Sequence, residues 1–108
     1  MDNNIIAVDK NTFQKEVLNS EKLVLVDFWA SWCNPCRMVS PIINQIANEH
    51  KDDLKVVKVN VDENDDIATK YEIISIPSIL LFKGGEKIDG IIGARPKQMY
   101  EKMIKENL

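Results

Sequence analysis

Only two of the 108 residues are cysteine and only one is histidine. That scarcity excludes a scaffold stapled by several disulfides. It also counts against structural zinc, which usually takes four protein ligands, since His50 has no ligand-spaced partner near it in the sequence; no metal is expected. Long hydrophobic runs are missing too. The longest, Leu23 to Trp29, contains Asp27 and is far too short to span a bilayer. There is no basic stripe, and a net charge of −3 argues against a nucleic-acid partner. The first residues, Met1-Asp2-Asn3-Asn4, lack the basic and apolar regions of a secretory signal, so a cytoplasmic, reducing location is expected. No repeat, low-complexity stretch or linker interrupts the chain, and 108 residues suit one domain over 1–108 with a core of its own. The 44% hydrophobic and 29% charged fractions are ordinary for a globular protein.

The two cysteines stand together in Trp32-Cys33-Asn34-Pro35-Cys36. Spacing alone allows a redox pair, half of a metal site or a structural staple. A staple closing so short a loop would stabilise little, and in a reducing compartment such a pair is catalytic or metal-binding more often than permanent.

Around this motif, apolar runs alternate with amphipathic segments. Ile5 to Val8 reads as a short edge strand. Asn11 or Thr12 is expected to cap a helix with Phe13, Val17 and Leu18 on its apolar face. Leu23 to Trp29 reads as a central strand buried on both faces. The helix that follows the cysteines carries Val39, Ile42, Ile43 and Ile46 at core spacing, and Pro41 inside it should kink it. Leu54 to Val61 is a Val-rich strand, and Asn64 is expected to cap a short helix through Tyr71. Ser78 to Phe82 and Glu86 to Ile92 form a hairpin about Gly84-Gly85. Pro96 suits the first turn of a last helix with Met99, Tyr100, Met103 and Ile104 on one face. The order β-α-β-α-β-α-β-β-α predicts an α/β fold: a five-stranded mixed sheet with four helices spread over both faces.

The segment Asp27-Phe28-Trp29-Ala30-Ser31-Trp32-Cys33-Asn34-Pro35-Cys36-Arg37, followed by Pro41, resembles the active-site segment of thioredoxins. Asn60-Val61-Asp62-Glu63-Asn64, Ile76-Pro77-Ser78, Phe82-Lys83-Gly84-Gly85 and Ile92-Gly93-Ala94 follow at matching distances, so the resemblance covers nearly the whole chain. Asn34 and Arg37 depart from it, standing where the family usually has Gly and Lys. Glu72 and Ser75 also replace common glycines.

The chemistry expected of the motif is thiol–disulfide exchange, which needs a thiolate attacker. A helix starting at the motif places Cys33 against unpaired N–H groups and the positive end of the helix dipole, so Cys33 is the expected nucleophile. Cys36, one turn further and expected to be more buried, is the expected resolving thiol, with Pro35 stiffening the turn between them. The resemblance implies the same pairing and roles.

Asp27 lies in a buried strand, so it must be hydrogen-bonded or neutral, and desolvation should raise its pKa towards neutrality. It reads either as a satisfied structural polar group or, as the resemblance implies, as a proton carrier for Cys36. The resemblance also brings in Lys58 as a tuning residue, although a solvated strand face explains Lys58 equally well. It implies a cis Ile76-Pro77 bond beside the cysteines, with the Ile76 backbone free to pair with an extended substrate. Trp32, Ile76, Ile92 and Gly93 are the expected substrate rim, and Trp29 is expected in the core. His50 reads as a solvated residue at a helix end, and Asp62, Glu63, Asp65 and Asp66 as a solvated acidic face.

The resemblance implies a protein-disulfide reductase without a bound cofactor, recycled by thioredoxin reductase with NADPH electrons and acting on disulfide-containing client proteins; a monomer is the default expectation. Two alternatives stand beside it. One is an oxidase or isomerase of the same fold, its potential shifted by Asn34. The other is a redox-independent binding or scaffold subunit that uses the rim around Trp32.

Overall fold

Strand-forming runs and amphipathic segments take up the expected elements in the computed structural model, which describes residues 4–108. Met1 to Asn3, on which the reading of the N-terminus partly rested, lie outside the described residues. Five strands, β1 (Ile5–Ala7), β2 (Leu23–Trp29), β3 (Leu54–Asn60), β4 (Ser78–Lys83) and β5 (Glu86–Ile92), form one sheet in the order β1-β3-β2-β4-β5. β1 and β2 run parallel to β3, while β4 is antiparallel to both β2 and β5. The helical elements are a π-helical turn at Gln14–Leu18, then α1 (Asn34–Glu49), α2 (Asp65–Lys70) and α3 (Lys97–Asn107). The expected α/β architecture is therefore present, with five strands and four helical elements among the described residues. Among the described residues no helix is long and apolar enough to cross a membrane.

The period-2 geometry of β2 divides the core. Leu23 and Leu25 point to the face covered by α1 and α3, where they meet Val39, Ile43, Ile46, Tyr100 and Ile104. Val24, Val26 and Phe28 point to the other face, against Phe13, Val17 and Ile67. Each fully buried aliphatic side chain contributes about 1.5–3 kcal/mol, so both layers are needed. The same alternation aims Asp27 at the α1 face. Its neighbours in register are Lys58 on β3 and Ile79 on β4.

Several local expectations are corrected. The Asn11 or Thr12 cap is replaced by Asp9, whose Oδ1 accepts from the Asn11 and Thr12 N–H groups at 2.8 and 3.1 Å. Thr12 Oγ1 accepts in return from the Asp9 N–H at 3.0 Å. Asn64 stands at the N-cap position of α2 but does not cap it. Its buried amide instead accepts from Lys10 N–H and donates to the Asn60 carbonyl, both at 3.0 Å, tying the exit of β1 to that of β3. Pro96 is the N-cap of α3 rather than part of its first turn, and Met99 is 45% exposed, leaving Tyr100, Met103 and Ile104 as the buried face. Val8 and Val61 fall just outside their strands.

The hairpin forms as expected, with Gly84 and Gly85 at φ +61° and +82°, values glycine adopts without strain. Glu72, standing where a family glycine is common, has φ +56°. Here Glu72 N–H donates to the Thr69 carbonyl and Ile73 N–H to the Ala68 carbonyl, the Schellman closure of α2. α1 runs continuously through Pro41, which has no N–H for the Arg37 carbonyl.

Candidate active site

The Cys-x-x-Cys motif falls where β2 ends and α1 begins, because Pro35 fits the first turn of a helix and no earlier strand partner continues past Trp29. Cys33 is the N-cap of α1, with an extended backbone, and its Sγ accepts from the Cys36 N–H at 3.2 Å. The two cysteines are joined as a disulfide, with Cα atoms 5.3 Å apart. Burial does not separate them as expected: Cys33 is 3% exposed and Cys36 5%. The two cysteines form one buried cluster with Ala30, and Trp29, Val61 and Ile76 pack against it. Their surroundings separate them instead. Cys33 Sγ lies 3.8 Å from the Ile76 carbonyl, whereas Cys36 lines a cavity of about 260 Å³ that opens to solvent past Ser31 and Arg37.

On the rim side, the Ile76-Pro77 bond is cis. The Gly93 N–H donates to the Pro77 carbonyl at 2.7 Å, bringing the end of β5 beside the cysteines. Gly93 has φ +93°, so a side chain there would be strained. Ile92 is paired in register with Ser78 and is 59% exposed. Trp32, 65% exposed, is held by its Nε1–H donating to Asp62 Oδ2 at 2.7 Å. Asp62 is therefore more than part of a solvated acidic face. Tyr100 was missed. Its hydroxyl donates to the Gly93 carbonyl at 2.8 Å and accepts from the Arg95 N–H at 3.0 Å, anchoring the Gly93 turn to α3. A tyrosine on a buried helix face needs such a partner, and that need was a usable signal.

On the cavity side, Asp27, Trp29, Ala30, Ser31, Cys36, Arg37, Ser40 and Lys58 form the lining. Asp27 is buried, and its Oδ1 has no partner among the described residues. Burial raises its carboxyl from 3.8 to about 6, and the Lys58 ammonium acts in the opposite direction. Lys58 is half-buried on this wall rather than on a solvated strand face, and its Nζ donates to Ser40 Oγ at 3.1 Å. Trp29 is half-buried, with the Lys58 ammonium 6.0 Å from its ring centroid. The two unusual motif residues meet: Arg37 donates to Asn34 Oδ1 at 3.3 Å and to the Ser31 carbonyl at 2.6 Å.

His50 lies far from this site in the fold and is not simply solvated. It is the C-cap of α1, with Nε2 3.0 Å from Glu101 of α3. Glu49, His50 and Glu101 offer ligand atoms within 4.8 Å of one another, although Glu49 is already paired with Lys97 at 2.8 Å.

A helix-capping cysteine disulfide on a mixed sheet, with an exposed apolar rim on one side and a buried carboxyl on the other, defines a thiol–disulfide oxidoreductase. The thioredoxin family model matches residues 4–106. The chain is 50% identical over 101 residues to thioredoxin 1 of a Nostoc species, covering 94% of each chain. It is 52% identical over 102 residues to a thioredoxin of Chlorobaculum thiosulfatiphilum, again covering 94% of each. With an M-type chloroplastic thioredoxin of Chlamydomonas reinhardtii it shares 50% identity over 102 residues, 94% of this chain and 73% of that one. This chain belongs to the thioredoxin family, whose members carry no prosthetic group.

Proposed function

We propose that the chain is a protein-disulfide reductase in which Cys33 attacks and Cys36 resolves. The observation that carries this reading is the different surroundings of the two cysteines, Cys33 Sγ beside the Ile76 carbonyl and Cys36 on the cavity wall with Asp27. In the reduced state, the α1 N-terminus favours the Cys33 thiolate. The thiolate attacks one sulfur of a client disulfide, forming a mixed disulfide and expelling the other sulfur as a thiolate. A client strand laid across Trp32, Ile92 and Gly93 has the cis Ile76-Pro77 backbone as its pairing edge.

Resolution needs the Cys36 thiol to lose its proton. With its carboxyl at about 6, Asp27 is mostly ionised at pH 7 yet still basic enough to accept that proton. The 260 Å³ cavity exceeds the roughly 30 Å³ share of one water, so water has room to relay it. The Cys36 thiolate then attacks Cys33, closing the Cys33–Cys36 disulfide and releasing the second client thiolate. Two electrons have passed from the dithiol to the client. Lys58 tunes Asp27. Asn34 and Pro35 shape the turn between the sulfurs.

The family resemblance further supports recycling by a thioredoxin reductase with NADPH electrons, disulfide-bonded client proteins, a cytoplasmic location, and a monomer of one domain. The test is trapping. Cys36→Ser should accumulate a mixed disulfide with a disulfide-bonded protein such as insulin, and Cys33→Ser should neither trap nor turn over. Trapping by Cys33→Ser instead would reverse the assignment.

A further inference from the structure

Ser40 follows Cys36 by four residues on α1, so the two share a helix face. Its Oγ accepts from Lys58 Nζ at 3.1 Å. Ser40, Lys58, Asp27 and Cys36 all line the 260 Å³ cavity. A second cavity of about 480 Å³ shares Trp29, Ser40 and Lys58 with the first and is bordered by Asp9 and Glu63. Lys58 thus lines both spaces, with Asp27 on one and Asp9 and Glu63 on the other. Asp27 Oδ1, buried and without a partner among the described residues, is the open acceptor on the catalytic side.

We propose that Ser40 is a positioning residue: its hydroxyl holds the Lys58 ammonium off the Asp27 carboxyl and thereby sets the proton affinity of that carboxyl beside Cys36. Its catalytic consequence rests on the reading of Asp27 as proton carrier. The groups facing Asp27 leave Lys58 as the movable charge. From β4 comes apolar Ile79. From α1 come Cys36, Ser40 and Arg37, whose guanidinium is committed to the Ser31 carbonyl and Asn34. From α3 comes the Tyr100 phenol, which feels the Asp27 charge but is itself pushed up by burial first. Without the Ser40 hydroxyl, the ammonium loses its neutral acceptor and turns to the unpaired Asp27 Oδ1. At an effective dielectric near 20, an approach from about 6 to about 4 Å lowers a carboxyl by roughly one pH unit.

The experiment is a carbon-13 NMR titration of the Asp27 carboxyl in the full chain, in Ser40→Ala, Ser40→Thr, Lys58→Met and the Ser40→Ala, Lys58→Met double variant. Ser40→Ala should titrate roughly one unit below the parent, and Ser40→Thr, which keeps the hydroxyl, with the parent. Lys58→Met should titrate above the parent, and the double variant should match Lys58→Met alone. An unchanged or raised midpoint in Ser40→Ala overturns the proposal, as does a shift that survives in the Lys58→Met background. The pH midpoint of mixed-disulfide resolution is measured alongside. If the carboxyl shifts but that midpoint stays, Ser40 still positions Lys58, and it is the proton-carrier reading of Asp27 that fails.

Discussion

Replacing Asp27 by Asn removes a buried titrating group while keeping its shape. The folded carboxyl titrates at about 6 against an ordinary value of 3.8, because burial outweighs the pull of Lys58. Between those two values the folded chain holds a proton that the unfolded chain has released. The stabilisation from this group is therefore full at pH below 3.8 and is lost as pH rises through about 6. A span of about two units at 1.36 kcal/mol each is worth about 3 kcal/mol. The amide introduced by Asp27→Asn carries no such dependence. The stability of Asp27→Asn relative to the parent should therefore grow by roughly 2 to 3 kcal/mol from pH 4 to pH 8. With an unfolding entropy of roughly 2.1 cal/mol/K per residue, that is on the order of 10 °C in Tm for this chain length. A constant offset from the new amide cancels in this comparison, as do the other titrating groups. The assay is guanidinium unfolding of both oxidised proteins across that pH range, with equal m-values as the check on two-state behaviour. A stability difference that stays flat with pH would refute the reasoning.

Two further substitutions test the scaffold of the site. Glu72→Gly relieves a non-glycine residue at φ +56° and should stabilise the chain by about 0.5–1 kcal/mol in urea unfolding, whereas loss of stability would mean the Glu72 side chain holds something in place. Tyr100→Phe leaves the Gly93 carbonyl and the Arg95 N–H without their partner, so stability should fall by about 1–2 kcal/mol and the client KM should rise as the Gly93 turn loosens; a loss under about 0.5 kcal/mol would count against the anchor.

The fold was legible because its signals are periodic. The near-continuous apolar run at Leu23–Trp29 could only be a central strand, and Val39, Ile43 and Ile46 could only face a core. The Gly84-Gly85 pair fixed the hairpin by backbone freedom alone. Capping was harder to read, since a short polar side chain near a helix start has several partners within reach. Asn64 was drawn away by Lys10, distant in sequence, and by the Asn60 carbonyl one turn back, and Asp9 served the turn that sequence position alone assigns to Asn11 and Thr12. The cluster around Cys33 and Cys36 draws on three side chains from separate segments, Trp29, Val61 and Ile76. The same holds for Trp32 with Asp62 and for His50 with Glu101, pairs that only the folded chain brings together. Ser40 was the exception, a polar residue one turn beyond Cys36 beside the apolar positions of α1, a pattern that could have been noticed.

Asn34 sits between the two cysteines in the chain and is held by Arg37. The central claim is that the Cys33–Cys36 pair works as a reductant. Its most direct test is the reduction potential at pH 7, measured by equilibration with glutathione and read from the ratio of dithiol to disulfide. The expected result is a potential close to about −270 mV, which is the family's own reference value. A potential near about −180 mV, in the range of isomerases, would contradict the claim.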